Sequence, residues 1–181
     1  MKLLCMLPLF AVLACTNNKT TDASVTDTTL KDTTTIITPA AETTSSYAGV
    51  YEYGTDVEKE PVGQLTLYKE ANDAYLFYLD VSNGAPSYHM GSVYGRLTVK
   101  DGKATYNNKL DYADKPCKLD FVFAGNSIKV TSGADIDCGF GNGVYADGDF
   151  KRTKAVAPDF FVNGEGTNIY FKKTTPEDYN K

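Results

Sequence analysis

The chain has no tryptophan, a single histidine, His89, and fewer basic than acidic residues, 18 against 23. The lysines and arginines form no stripe that could neutralise phosphates, so nucleic acid is not expected as a partner. One imidazole makes a structural zinc site too poor in ligands. A Ser-His-Asp triad built on His89 would also lack the Gly-x-Ser-x-Gly elbow. We therefore expect a protein that is not an enzyme and that uses no metal or cofactor.

Acidic residues offer two alternatives to that expectation. Asp135, Asp137, Asp147 and Asp149 could gather around calcium, but they lack the alternating ligand spacing of a calcium-binding loop. Glu52, Glu58 and Glu60 could act as paired carboxylates in glycoside hydrolysis. The last two of these lie in a charged segment that is typical of a solvated turn. Neither chemistry is favoured.

Long apolar runs are also missing, since the longest, Leu3–Ala14, has 12 residues and follows Lys2. As a helix it would measure about 18 Å, too short for a hydrocarbon core of about 30 Å, so it is expected to be a cleaved leader. Its Val12-Leu13-Ala14-Cys15 end resembles the lipobox of bacterial lipoproteins. That resemblance implies a signal peptide over residues 1–14 and a lipid on Cys15, which would attach the protein to a membrane. An ordinary secretory leader with a chance cysteine is the alternative.

Residues 15–46 follow as the acylated cysteine and a threonine-rich stretch without aromatic residues, which predicts a disordered tether. Asp27-Thr28-Thr29 and Asp32-Thr33-Thr34 resemble the sites at which Bacteroidota O-glycosylate exported proteins, although such triplets also arise by chance. Thr16 gives no inner-membrane retention signal of the enterobacterial kind. We expect a cell-envelope protein anchored in the outer membrane, at its periplasmic or surface face.

Two of the four cysteines, Cys117 and Cys138, remain after the leader is cleaved and Cys15 is acylated. In a compartment that permits oxidation this pair predicts a disulfide, with metal binding as the weaker alternative. Cys117 lies two positions before Leu119 in the same predicted strand, so both side chains are expected to point inward. A bridge over about 21 residues would stabilise the fold by roughly 3 kcal/mol.

From residue 47 onward the hydrophobic pattern has period two, with turn residues about every ten positions. Residues 47–153 are therefore predicted to form an all-β domain, a small antiparallel up-and-down β-barrel of about eight strands whose first and last strands pair. Residues 154–181 are predicted as an appended strand or hairpin with a frayed polar tail. The barrel interior is predicted to be filled by Leu65, Leu67, Phe77, Leu79, Leu97, Val99, Phe121, Phe123, Ile128 and Val130.

Two short turns fix predicted registers in this domain. Gly125-Asn126 would place Phe123 opposite Ile128 and Phe121 opposite Val130. Asp101-Gly102 would place Val99 opposite Ala104 and Leu97 opposite Tyr106.

The segments Cys138-Gly-Phe-Gly and Asp147-Gly-Asp-Phe-Lys-Arg152 resemble a small uncharacterised, lipocalin-like β module of exported bacterial proteins. The opening Gly49-Val-Tyr51 resembles the lipocalin Gly-x-Trp signature, with tyrosine in place of tryptophan. Membrane-bound lysozyme inhibitors are similarly small, disulfide-bearing β-barrel lipoproteins, but their Ser-Gly-rich inhibitory loop has no counterpart here.

Thirteen tyrosines provide flat apolar faces with hydroxyl groups, which suit glycans or peptides. Tyr88 and His89 lie in one predicted loop and Tyr112 in another, and we expect any binding site there. The sequence thus predicts a lipid-anchored cell-envelope protein with a non-enzymatic binding or shielding role toward an envelope protein or glycan. A lysozyme-inhibitor-like protein and a lipocalin-like carrier of a small apolar ligand are the alternatives.

Overall fold

A computed structural model describes residues 46–181. The predicted signal peptide, Cys15 and nearly all of the predicted tether lie outside these residues. Within them, no helix is long and apolar enough to cross a membrane. The elements are β1 (Gly49–Tyr53), β2 (Val62–Ala71), β3 (Ala74–Ser82), β4 (Met90–Thr98), β5 (Lys103–Asn108), β6 (Cys117–Ala124), β7 (Ser127–Ser132), β8 (Gly148–Lys154), β9 (Phe160–Val162), β10 (Asn168–Tyr170) and the helix α1 (Pro176–Tyr179).

Eight strands form one antiparallel sheet in the order β4-β3-β2-β1-β8-β7-β6-β5. The first and last of these strands in the chain pair with each other, with Tyr51 opposite Arg152. The sheet therefore curls into a nearly closed barrel with an up-and-down order of strands. The predicted fold class is confirmed.

The hairpin registers follow from the alternating pattern and the turn residues. Phe123 lies opposite Ile128 and Phe121 opposite Val130, as predicted. Gly125 has a φ of 58°, and because its neighbour Asn126 has no positive φ the turn is type II′.

The prediction that β4 and β5 pair along their length is wrong, because no ladder of hydrogen bonds forms between them. Their turn forms, because Asp101 and Gly102 both have the positive φ of a type I′ turn and Lys100 pairs with Lys103. Beyond that pair the strands separate, and the N–H of Val99 donates to the carbonyl of Asp73 at 2.9 Å instead. The resulting gap between β4 and β5 is called the seam.

Aromatic rings account for the separation at the seam. A Cβ atom on Gly95 of β4 would lie 2.5 Å from the rings of both Phe77 and Tyr106. Tyr106, which points inward from β5, packs edge-on against Phe77 with ring centroids 5.1 Å apart. Side chains thus fill the space where a ladder was expected, and Leu97, Val99, Ala104 and Tyr106 are all buried without the predicted pairing.

The barrel interior is filled by side chains. Phe77 of β3 reaches across to Phe121 of β6, with ring centroids 5.4 Å apart. All ten residues predicted to point inward are buried in this core. The sequence parity therefore predicted the interior correctly.

A second apolar layer lies on the outer face of β2–β4. The β9–β10 hairpin packs there, with the ring of Phe161 stacked 3.8 Å from that of Tyr78 and Phe171 stacked 4.9 Å from Tyr68. Burial raises the pKa of Tyr78 and of Tyr94 to about 12, as expected of phenols shielded from water. The appended hairpin that the sequence predicted is therefore part of the folded unit.

The polar C-terminus is ordered by α1, where the sequence predicted a frayed end. Thr175 caps this helix by accepting a hydrogen bond from the N–H of Asp178. Arg96 of β4 forms a 2.8 Å salt bridge with Glu177, and the side-chain amide of Asn180 donates to the carbonyl of Tyr94 at 3.1 Å. Capping and these contacts hold the helix against β4, beside the seam.

Candidate functional site

The four long connections of the barrel lie at one end, which is called the loop end. In an up-and-down barrel alternate connections emerge on the same side, and here these are residues 54–61, 83–89, 109–116 and 133–147. The opposite end, called the turn end, carries the tight turns after β2, β4 and β6. Loops of this length on a rigid barrel are the usual place for recognition.

The described chain begins at the turn end. Arg152 of β8 donates to the carbonyls of Ser46 at 2.7 Å and Ala48 at 2.9 Å. Between them, the ring of Tyr47 packs 4.6 Å from that of Phe123 at the end of β6. The loop end is therefore the end of the barrel away from residues 46–48.

Hydrogen bonds join neighbouring loops into one surface. The N–H of Ala85 donates to the carbonyl of Val57 at 2.9 Å. On the other side, the N–H of Gly141 donates to the carbonyl of Met90 at 2.9 Å. The 133–147 loop thus reaches β4 and covers the seam at the loop end.

The Cys117–Cys138 disulfide is present, with both cysteines buried and their Cα atoms 4.5 Å apart. It ties the 133–147 loop to the start of β6. Val144 and Ala146 of the same loop are buried in the barrel core. The predicted bridge therefore holds the loop at one side, while its contact with Met90 holds the other.

The residues predicted for binding all lie at the loop end. Tyr88 is 45% exposed, and its hydroxyl donates a hydrogen bond to Glu58 of the 54–61 loop. Tyr112 is 69% exposed, and its ring lies against Gly139, where a Cβ atom would be 2.8 Å away. The two tyrosines contact different loops, on the two sides of the 139–142 segment.

His89 links two loops through a hydrogen bond from its ring to a backbone carbonyl. Its Nδ1 lies 2.8 Å from the carbonyl of Asn142, a hydrogen bond that links the 83–89 and 133–147 loops. The ring is exposed at the surface. The structure thus gives His89 a positioning role at the loop end.

Three of the four aspartates weighed as calcium ligands have separate partners. Asp135 pairs with Lys115, Asp137 accepts from the N–H of Gly139 at 3.0 Å, and Asp147 accepts from the N–H of Ser132 at 3.3 Å. Among residues 46–181, no group of three or more His, Cys, Asp or Glu side chains is arranged to hold a metal ion.

A groove of about 640 Å³ lies on the outer face of the barrel, beside the loop end. Its floor includes Glu52, Gln64 and Asp80, which are cross-strand neighbours on β1, β2 and β3. Tyr88 and Met90 line its edge. The groove therefore combines polar groups on its floor with apolar residues at its rim, and ligand sites commonly mix apolar surface with a few placed polar groups.

The carboxylates of the floor have different surroundings. Gln64 donates its side-chain amide to Glu52 at 2.9 Å. Asp80 is half-buried, and burial raises its pKa above the ordinary value despite a hydrogen bond from the N–H of Val81. Within residues 46–181 Asp80 takes part in no salt bridge. Asp80 is thus the floor carboxylate that is partly shielded from water and takes part in no salt bridge within the described residues.

The loop end is acidic. Its four loops carry eight acidic residues against three lysines. The acidic residues are Asp56, Glu58, Glu60, Asp111, Asp114, Asp135, Asp137 and Asp147, and the lysines are Lys59, Lys109 and Lys115. Negative charge concentrated at one end attracts cationic partners and repels anionic ones.

Several surface residues of the site were missed from the sequence. Tyr145 is 68% exposed in the 133–147 loop, and Met90 is exposed at the groove. The signal for Tyr145 was its place among glycines after Cys138, which marks a loop. Asp80 gave no such signal, because it occupies an ordinary outward position in a strand.

The fold and the loop end define the class to which this chain can be assigned: a small antiparallel β-barrel with a filled interior and one disulfide-held loop surface. No protein-family model, curated protein or solved structure matches the chain.

Proposed function

We propose that this protein is a lipid-anchored, non-enzymatic binding protein of the bacterial cell envelope that recognises its partner with the loop end. The lipobox resemblance at Cys15 supports the anchor, and the absence of an inner-membrane retention signal supports the outer membrane. An envelope protein or a glycan is the proposed partner, and nucleic acid is not.

The observation that carries the binding role is the position of the exposed tyrosines. Tyr88, Tyr112 and Tyr145 lie on loops joined by hydrogen bonds and a disulfide, at the end of the barrel away from Tyr47. Tyrosines held on a rigid surface give contact area at a low cost in conformational entropy. The filled interior gives no support to the carrier alternative.

The anchor is tested by mass spectrometry of the mature N-terminus from native membranes. We expect the protein to begin at an acylated Cys15, and the Cys15→Ser variant to be released from the membrane. A different N-terminus, or unchanged membrane attachment of the variant, would contradict the anchor.

The binding role is tested by affinity capture from the native envelope with the full chain and with Tyr112→Ala. We expect an enriched protein or glycan that Tyr112→Ala retains poorly. Tyr170→Ala is the matched control, because Tyr170 is an exposed tyrosine on β10, away from the loop end. Equal retention by both variants would contradict the proposed loop-end surface.

A further inference from the structure

The groove lies where the outer face of the barrel changes from covered to open. Toward the turn end, the C-terminal hairpin covers Leu76 and Tyr78 of β3. Toward the loop end, the same face of β3 is not covered by the hairpin, and its next outward residue, Asp80, forms part of the groove floor. Asp80 therefore lies beside the edge of a protein-covered layer, which explains its partial burial.

The charge in the groove has one sign. Its charged lining residues are Glu52 and Asp80, and no described lysine, arginine or histidine lines it. Glu52 is engaged by Gln64, whereas Asp80 lacks a cationic partner within residues 46–181. Charge complementarity therefore favours a cationic occupant that can reach the floor.

The rim of the groove suits a long cationic side chain. Val62, Tyr88 and Met90 line it, so an aliphatic stem could pack against apolar surface while its charged head reaches Asp80. Tyr88 is 45% exposed and its hydroxyl is held by Glu58, so its ring could make a cation–π contact with the same cation.

We infer that the groove binds a lysine or arginine side chain presented by an extended segment of a partner protein, with Asp80 as its counter-ion and Tyr88 along its stem. This inference rests on the proposed binding function and names the chemistry that the partner must supply. It selects a protein over a neutral glycan, because hydroxyl groups would leave the shielded carboxylate without a counter-ion.

The presence of a half-buried carboxylate that takes part in no salt bridge within residues 46–181 agrees with a binding role. Burial raises the pKa of Asp80, so its ionised form is less favourable in the folded protein than in the unfolded chain. Groups kept at some expense of stability are concentrated at functional sites. A bound cation would relieve this unfavourable burial.

The test is an NMR titration of the full chain, in mild detergent, with the blocked tripeptide leucyl-lysyl-leucine. We expect chemical-shift changes at Gln64, Asp80 and Tyr88. The same peptide carrying Nε-acetyl-lysine, which has no charge, is expected to bind about tenfold more weakly or worse, because it loses a charge-assisted contact. Asp80→Asn is expected to weaken binding of the lysine peptide by a similar factor.

Two further variants separate the groove from general electrostatics. Tyr88→Ala is expected to weaken binding of the lysine peptide, whereas Asp101→Asn, the same charge change at the turn end, is expected to leave it unchanged. Because removal of the half-buried charge is expected to stabilise the fold, weak binding by Asp80→Asn could not be attributed to unfolding.

Several outcomes would overturn the inference. These are equal binding of the acetylated peptide, binding to Asp80→Asn as tight as to the native chain, or shift changes away from the groove. Binding of a neutral N-acetylglucosamine oligomer in the groove, with no binding of the lysine peptide, would identify a sugar site instead. Failure of the peptide titration would leave the Tyr112-dependent capture intact, because Tyr112 lies outside the groove.

Discussion

At the scale of single residues, the barrel interior depends on large aromatic rings in mutual contact. Phe121 is fully buried, and its ring lies edge-on to that of Phe77. We expect Phe121→Ala to lower the free energy of unfolding by about 3–5 kcal/mol, because the lost ring leaves a cavity in a packed core. Chemical denaturation of the full chain measures this change.

The next residue provides a matched control for that substitution. Val122 points outward from the same strand and is 44% exposed. Val122→Ala is expected to change the free energy of unfolding by no more than about 0.5 kcal/mol. Similar losses for the two variants would show that the interior is less tightly packed than the ring contacts indicate.

The pH dependence of stability offers a test of Asp80. Its pKa is raised above 3.8 in the folded protein, so ionisation destabilises the fold as pH rises through and beyond that value. The neighbouring groups Glu52, Tyr78 and Tyr179 are unchanged in the Asp80→Asn variant. We expect this variant to be more stable than the native chain near neutral pH and equal to it at about pH 3, where the carboxyl is protonated in both states.

Thermal unfolding of both proteins across this pH range measures the effect. A stability difference that stays constant with pH would show that the amide acts through packing and not through charge. A native chain more stable than Asp80→Asn at neutral pH would contradict the stated surroundings of Asp80.

Residue parity was the most reliable property that the sequence supplied. It assigned Leu65, Phe77 and Ile128 to the interior correctly, because alternation in a strand is a local property. The surroundings of Asp80 could not be predicted in this way. They depend on a hairpin that packs against β3 from about 80 residues further along the chain.

At the scale of elements, the disulfide attaches the 133–147 loop to the start of β6. We expect reduction of Cys117–Cys138 to lower the free energy of unfolding by about 2–5 kcal/mol. Hydrogen exchange should accelerate first in residues 133–147, because without the bridge they are held only by a few hydrogen bonds and by the packing of Phe140, Val144 and Ala146. The Tyr112 ring, which lies against Gly139, should become more mobile with them.

Comparison with a variant that cannot be reduced supplies the control. The Cys117→Ala, Cys138→Ala double variant is expected to be insensitive to reductant. Exchange that accelerates equally throughout the barrel on reduction of the native chain would show that the bridge stabilises the whole fold and not the loop in particular.

The C-terminal helix α1 protects an exposed strand edge. Asn180 donates to the carbonyl of Tyr94, and Arg96 is paired with Glu177. A chain that ends at Thr175 is expected to melt at a lower temperature and to self-associate, because unpaired strand edges add strands from other molecules. Light scattering and thermal unfolding measure both effects.

The substitution Lys181→Ala is the control for the shortened chain, since Lys181 contacts Asp178 on the exposed side of the helix. We expect it to remain monodisperse with an unchanged melting temperature. If the chain ending at Thr175 behaves in the same way, α1 does not protect the edge of β4.

At this scale the elements could be predicted from the sequence only in part, for a physical reason. The Gly125-Asn126 hairpin was predicted correctly because its turn and its apolar pairs agree locally. The seam was not predicted, since it results from rings of non-adjacent strands, Phe77 and Tyr106, that meet beneath Gly95. The helix α1 was not predicted, although Thr175 followed by Pro176 is a pattern typical of a helix start.

At the scale of the whole molecule, charge and topology are arranged along one axis. The acidic loops lie at one end, and the described chain begins at the other, where Arg152 holds Ser46. The up-and-down topology that creates this polarity followed from the order of the predicted strands. Neither the grouping of the acidic residues at the loop end nor the groove was predicted from the sequence.

The seam divides the barrel into two groups of four strands, which bears on whether the chain could be split into two fragments. Strands β1–β4 form one meander and β5–β8 another, and the short turn at Asp101-Gly102 is their covalent link. The β1–β8 ladder and the C-terminal hairpin, which lies on the other meander, hold them together without that link. A chain cut between Asp101 and Gly102 should therefore yield two complementary fragments that reassemble on mixing, as the halves of a split protein do.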